Sequence, residues 1–421
     1  MIKQIIPGVV VEVVAGEREA ATGVSGVVAM PLVHDWGDTV TVLRRGQSPL
    51  YLLGHRLGKM KLINEVMRYA DELILYRLNA GTKAKAELAA DVTATSVYGG
   101  TRGNDIKVTV KKNESRYTVR TFLGTSEMDA QTVSGPDKFV SNGLIEISGS
   151  GTLADASVAL TGGEDGDAPN TDAYDAFLTE MERWEYNVIA YTGEDDDISA
   201  KIASYVTEQR VEGNMIQGVL SGYTANDKAI YNNTIGGRTL EYDLSPAEAC
   251  ATVAGILAKC GIEQSATGFD VSGWTETVPR LNKTQMEQRT QNGEILFVTM
   301  HGIVQVLYDK NSLTTFTETE PEDWGKGLVM RTLDRYVTDL QILLDTKVKG
   351  KERNSVDGRN RVKARIVKMT VEGYQDKGYI EGFVPDDVTV AEGASRDAVD
   401  VTVGIRVVDS IDKLYVKIVS M

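Results

Sequence analysis

Asp409-Ser410-Ile411-Asp412-Lys413-Leu414-Tyr415-Val416-Lys417-Ile418-Val419-Ser420-Met421 alternates from Lys413 onward. Leu414, Val416 and Ile418 fall on one face and Lys413, Tyr415 and Lys417 on the other, the period of two of a β-strand. A strand at the end of a chain needs a partner, because its free edge presents unpaired N–H and C=O groups. Near the other end, Ile5-Ile6-Pro7-Gly8-Val9-Val10-Val11-Glu12-Val13-Val14 is a second β-branched apolar run. Two such ends predict a chain that joins copies of itself by trading strands. Val9, Val10, Val11 and Val13 would lie in one arm and Leu414, Tyr415, Val416 and Ile418 in the other.

Inward from these ends the texture changes three times. Val27-Val28-Ala29, Thr39–Leu43 and Leu73-Ile74-Leu75-Tyr76-Arg77-Leu78 read as strands, the last buried on both sides, with a helix over Leu62–Ala70. From 82 to about 163, Gly, Ser and Thr rise and helical periodicity disappears. Ile106–Val110, Tyr117–Phe122 and Leu144–Ile147 are short strands between turn residues, predicting a small all-β domain. Helix and strand then alternate over 171–261, with Ser245-Pro246-Ala247-Glu248 as a capping-box start and Gly261 as a stop. A hairpin is expected over 294–308 and amphipathic helices over 328–346 and 357–377. Strands are expected at Tyr379–Val384, at Val399–Val408 and at the terminus.

The predicted fold class is α/β and α+β multidomain: a mixed sheet flanked by helices, an inserted small all-β domain, and extended N- and C-terminal strand arms. The expected divisions are an arm at 1–20, core at 21–81, insert at 82–165, the α/β part of the core at 166–320, an α+β domain at 321–408 and an arm at 409–421. Residues 21–81 are too few for an independent core, so they should share one with the chain beyond the insert.

The chain has 421 residues, 42% of them hydrophobic, and a net charge of −15. That balance argues against nucleic acid as a partner. No apolar run is long enough to span a bilayer, and no signal peptide is evident. Cys250 and Cys260 lie in one helical segment, which suits synthesis in a reducing cytoplasm. Residues 326–370 reverse the trend, with 12 Lys/Arg against 5 Asp/Glu. Lys347, Lys349, Lys351, Arg353, Arg359, Arg361, Lys363 and Arg365 form either the solvated faces of two helices or a contact surface for an acidic partner or another copy.

Catalytic signals are weak. His34, His55 and His301 have no metal-ligand spacing and read as structural or surface residues. Gly149-Ser150-Gly151-Thr152-Leu153-Ala154 matches a dinucleotide fingerprint in outline, yet a strand-like stretch follows it where a helix is required. There is no P-loop. Glu194-Asp195-Asp196-Asp197 lacks the spaced donors of a calcium loop and reads as a helix cap. No catalytic residue, cofactor or metal is expected.

Several segments together carry a family likeness. They are Ile6-Pro7-Gly8-Val9-Val10-Val11-Glu12, Gly99-Gly100-Thr101-Arg102-Gly103-Asn104-Asp105-Ile106-Lys107-Val108, Leu160-Thr161-Gly162-Gly163-Glu164-Asp165-Gly166, Asp309-Lys310-Asn311-Ser312-Leu313-Thr314-Thr315-Phe316, Arg331-Thr332-Leu333-Asp334 and Asp412–Ile418. In this order the chain resembles the tail sheath proteins of contractile phages and phage-tail-like bacteriocins of Gram-positive type. Trp36–Gly46 lies outside the matching stretches.

The resemblance implies a structural, non-enzymatic subunit. It would polymerise as stacked hexameric rings around an inner tail tube, meet baseplate and tail terminator proteins, and contract to drive the tube through a bacterial envelope. It further implies assembly in the bacterial cytoplasm and residence in a virion or extracellular tail particle, without nucleic acid binding or membrane insertion. Gly16 and Gly404 would lie near flexible joints, and the basic stretch would touch the tube or a neighbour. The rivals are a cytoplasmic α/β enzyme built on 171–261 and a static self-assembling tube or adhesin. The first would need a phosphate-cradling glycine loop at a strand end.

Overall fold

The structure, a computed structural model, describes residues 25–419. The expected N-terminal arm, with Val9, Val10, Val11, Val13 and Gly16, lies outside the described residues. The described chain begins with β1 (Val27–Leu32), β2 (Val40–Arg44), a short α1 (Leu50–Leu53), α2 (Lys61–Met67) and β3 (Glu72–Arg77). β3 lies parallel to β1, from Val27 opposite Glu72 to Leu32 opposite Arg77, and β2 runs antiparallel along its far side. Leu73 and Leu75 enter one apolar cluster while Ile74 and Tyr76 enter another. Burial on both faces explains the unbroken apolar run.

Seven strands follow: β4 (Lys83–Ala89), β5 (Val92–Gly99), β6 (Ile106–Asn113), β7 (Arg116–Leu123), β8 (Ser126–Val133), β9 (Ile145–Gly149) and β10 (Ala156–Ala159). They make two antiparallel sheets, β10-β6-β7-β8 and β4-β5-β9. Alternate residues such as Ile106, Val108 and Val110 meet Val92, Ala94 and Ile145 in a separate core. Isolated bridges from Thr82 to Glu164 and from Lys85 to Thr161 hold the entry and exit of this β-sandwich side by side, as an insertion requires.

The chain then returns to the first sheet through α3 (Thr171–Met181), β11 (Val188–Ala190), α4 (Asp196–Val211), β12 (Gln217–Ser221) and β13 (Ile230–Asn233). β14 (Gly236–Thr239), β15 (Asp243–Leu244) and β16 (Trp274–Val278) form a side sheet around α5 (Pro246–Cys260). After α6 (Lys283–Gln291), β17 (Glu294–Ile295) joins the main sheet, and β18 (Phe297–Met300) with β19 (Ile303–Val306) forms a hairpin turning at His301-Gly302.

The main sheet is seven-stranded, β17-β13-β12-β11-β1-β3-β2, and parallel except for β2. β1 sits between β3 and β11, so the chain on either side of the insertion shares one sheet. α2 and α5 contribute to the core on one face, α3 and α4 on the other.

Local chemistry sets α5. The Ser245 hydroxyl accepts from the Glu248 N–H, the Glu248 carboxylate accepts from the Ser245 N–H, and Pro246 opens the first turn. Ser245→Ala should lower stability by about 1 kcal/mol. Thermal unfolding checks this, and an unchanged midpoint would show the cap to be dispensable.

The remainder is α7 (Gly327–Lys347), α8 (Val356–Thr370), β20 (Val388–Glu392) and β21 (Val399–Val403). Tyr336, Val362, Ile366, Tyr374, Ile380, Phe383 and Val388 make its core. The expected helix over 357–377 is α-helical only to Thr370, continues as a π-turn to Gln375, and stops before Gly378. The expected strand Tyr379–Val384 is corrected. Only Ile380 bridges, to Val407, and the strand that pairs with β21 is Val388–Glu392.

Candidate assembly surfaces

Asp412 separates a held segment from a free one. Before it, the Gly404 N–H donates to the Asp387 carbonyl, the Glu381 N–H to the Arg406 carbonyl and the Val408 N–H to the Tyr379 carbonyl, each at 2.9 Å. Lys326, at the start of α7, pairs with Asp409 and lies 3.9 Å from Asp412. Burial works against the Lys326 ammonium, but these carboxylates outweigh it and raise its pKa.

Residues 413–419 make no hydrogen bond or ion pair with any other described residue. Leu414, Val416 and Ile418 are 79%, 80% and 90% exposed, far beyond what their side chains would retain in a packed strand. No ladder forms along them in the single chain. Gly404, expected near a joint, is instead held against Asp387, and the free stretch starts after Asp412. Close by, β20 and β21 form a two-stranded sheet whose outer edges have no strand partner among the described residues.

The basic stretch divides in two. On α8, Arg361 and Arg365 turn to Glu352 at 2.9 and 3.4 Å, Arg359 to Glu392 at 3.5 Å and Lys363 to Asp386 at 3.8 Å. The hydrogen bond from Arg361 holds the Glu352 carboxyl below its usual range. The end of α7 and the loop after it keep most of their charge. Lys349 has Asp345 at 3.2 Å, Lys351 caps the Thr346 carbonyl, and Lys347 and Arg353 have no ion-pair partner among the described residues.

The other sequence candidates take structural places. Asp195 caps α4 by accepting from the Asp197 and Ile198 N–H groups. Gly149–Ala154 starts at the last residue of β9 and runs toward β10, within the sandwich. Cys250 and Cys260 are buried free thiols, and burial pushes Cys260 up to about 11. Among the described residues no group of three or more His, Cys, Asp or Glu is placed to hold a metal, and no helix is long and apolar enough to cross a membrane.

His34 and His55 both reach Asp35, at 2.9 and 2.8 Å. Burial opposes ionisation of Asp35, but the two hydrogen bonds prevail and hold its carboxyl far below the usual range.

This cluster belongs to the joint between main sheet and sandwich, which sequence reasoning missed. Gly100 has φ of +129°, and a Cβ there would stand 1.8 Å from the Asp35 carbonyl, so only glycine fits. Arg77 donates to the carbonyls of Gly37 and Gly99, at 3.0 and 2.8 Å. Asn79 accepts from the His34 N–H and donates to the His34 and Asp165 carbonyls. The available signal was the polar pair Arg77 and Asn79 at the end of an apolar strand.

Asn79→Ala should cost about 3 kcal/mol, because buried backbone groups lose their partners. Hydrogen exchange should quicken at His34 and around residues 163–166. Unchanged exchange at both sites would contradict the assigned joint.

A mainly parallel sheet carrying a β-sandwich insert, an α+β unit with its own core and an exposed C-terminal segment define a multidomain α/β and α+β chain. Family comparison matches the phage tail sheath β-sandwich domain over residues 79–165, the sheath central domain over 167–312 and the sheath C-terminal domain over 319–420. The chain belongs to the phage tail sheath protein family and is a tail sheath subunit, a component of a phage-type tail particle.

It is 30% identical to the phage-like element PBSX protein XkdK of Bacillus subtilis, over 93% of this chain and 91% of that one. The sheath tail protein of Desulfitobacterium hafniense superposes with a TM-score of 0.84 at 32% identity, over 97% of this chain and 99% of that one. The helical sheath of the anti-feeding prophage, in its contracted state, shares the fold with a TM-score of 0.59 at 12% identity, covering 99% of each chain.

Proposed function

We propose that this subunit polymerises helically around an inner tail tube by exchanging terminal strands, then contracts from a metastable extended state to drive the tube through a bacterial envelope. The observation that carries this reading is the arm after Asp412. Its described residues, 413–419, present an alternating apolar face and backbone groups with no partner among the described residues. Leu414, Tyr415, Val416 and Ile418 would add to an open edge of the β20–β21 sheet in a neighbouring copy. Val9, Val10, Val11 and Val13 would serve the same purpose from the other end.

The proposed divisions follow the sequence: arms at 1–20 and 409–421, a core of 21–81 with 166–320, an insert at 82–165 and a C-terminal unit at 321–408. The subunit would be assembled in the cytoplasm, act without catalysis and meet tube, baseplate and terminator proteins. The basic stretch Lys347–Arg365 would face the tube or an adjacent subunit.

Head-to-tail contacts whose rotation does not close give an open helix. Contraction is then a switch between two packings of the bodies, with the strand contacts kept as hinges. Negative-stain microscopy of the purified chain should show hollow tubes. Small closed oligomers at every concentration would overturn the reading.

A further inference from the structure

We infer that the loop joining α7 and α8 docks onto the carboxylate-rich end of the α/β body in a second copy of this chain. The inference rests on the self-assembly reading above and names one contact within it. Lys347, Lys349, Lys351 and Arg353 are all exposed, and the α8 cations behind them are turned to Glu352, Glu392 and Asp386. The loop is therefore where the basic excess of this region meets solvent.

Its complement lies on the same molecule, out of its reach. Within residues 164–212, Glu182 and Glu185 line a cleft with Gln341 and Ile342 and so lie at the α7 end, but a second group of carboxylates does not. Glu164, Asp167, Asp172, Glu194, Asp196 and Asp197 are exposed and have no ion-pair partner among the described residues.

The topology places these charges at opposite ends. α3 and α4 connect parallel strands, so their N-termini, with Asp172, Asp196 and Asp197, stand at the C-terminal ends of the strands. α7 packs at the other end of α4. Arg210, in the last turn of α4, pairs with Asp334 at 2.5 Å, and Gln341 sits beside Gly213 just past that helix. The loop follows six residues after Gln341. α4 alone, with 16 residues, keeps the two charge clusters about 24 Å apart.

Charges separated in this way cannot neutralise each other within one chain. Stacked head to tail, the loop of one copy meets the carboxylates of the next. Complementary patches of this kind steer encounter and set register, and salt weakens them.

The test uses the full-length chain and the concentration at which tubes appear by light scattering and negative stain. One variant reverses the loop (Lys347→Glu, Lys349→Glu, Arg353→Glu). A second reverses the acidic end at loop and helix-edge positions (Asp167→Lys, Glu194→Lys, Asp196→Lys). A third combines both. Thermal unfolding confirms that each is folded.

Each single reversal should raise the threshold concentration about tenfold or more, and the combined chain should return to within about threefold of wild type. A combined chain no better than either single reversal overturns the docking while leaving self-assembly intact. So does an acidic-end reversal that leaves the threshold at the wild-type value. A wild-type chain that forms no polymer sinks the assembly reading and this contact with it.

Discussion

Replacing Arg331 with Met should destabilise the folded chain by about 3–5 kcal/mol, the cost of leaving a buried carboxylate without its partner. Arg331 lies on α7 and holds Asp309 with both terminal nitrogens, at 2.7 and 3.2 Å. Its Nε donates to the Gly261 carbonyl at 2.6 Å, and its remaining bonds reach the Tyr231 hydroxyl and the Gln264 carbonyl. The two side chains are 7% and 2% exposed. Burial disfavours the guanidinium charge, but Asp309 outweighs burial and raises the Arg331 pKa.

One side chain therefore pins the first turns of α7 to the end of α5 and to the segment after β19. Urea unfolding measures the loss. Arg331→Met combined with Asp309→Asn should recover part of it, since the orphaned charge is then gone. A single variant as stable as wild type would show that the pair contributes nothing net.

Ending the chain at Asp412 should abolish tube formation while leaving the fold intact. Residues 413–419 contact no other described residue through hydrogen bonds or ion pairs, so unfolding free energy should change by less than about 0.5 kcal/mol. Keeping Asp409 and Asp412 preserves the pairs with Lys326.

Under the proposed strand exchange the polymer, by contrast, would lose every backbone bond and apolar side chain that the arm lends. A strand contact netting even about 4 kcal/mol corresponds to about a thousandfold in association constant. Sedimentation should therefore show monomers across the range in which wild-type chains pellet as tubes. A finer version substitutes only Leu414, Val416 and Ile418 with Asp, which should act like the truncation. Replacing Lys413 and Lys417 with Ser should do much less, because only one face of the arm would be buried in the proposed pairing. Truncated chains that still form tubes would remove the arm from the mechanism.

Where structure followed from neighbours in sequence, it was legible. The cap at Ser245, the stop at Gly261 and the hairpin turn at His301-Gly302 are local events, and each occurs where the residues place it. The run Leu73–Leu78 announced a doubly buried strand by composition alone. Tyr379–Val384 misled because it is rich in aromatic and β-branched residues, yet β21 took Val388–Glu392 as its partner. The joint of Arg77, Asn79, Asp35, His34 and His55 showed in sequence only as the polar pair ending β3, because its members are brought together by β1, β3 and the returning sandwich. The basic stretch showed its charge in sequence, but only the fold divided it into paired α8 residues and an open loop.

The order of residues alone determined the α/β alternation, the all-β insert, the family likeness and the alternating apolar face of the terminal segment, because periodicity, capping and turn chemistry act within a few residues. Tertiary structure decided which strand β21 pairs with, which charges are buried or exposed, and where the arm leaves the body. Those outcomes depend on groups far apart in the chain, and their energies exist only after folding has removed water from between them.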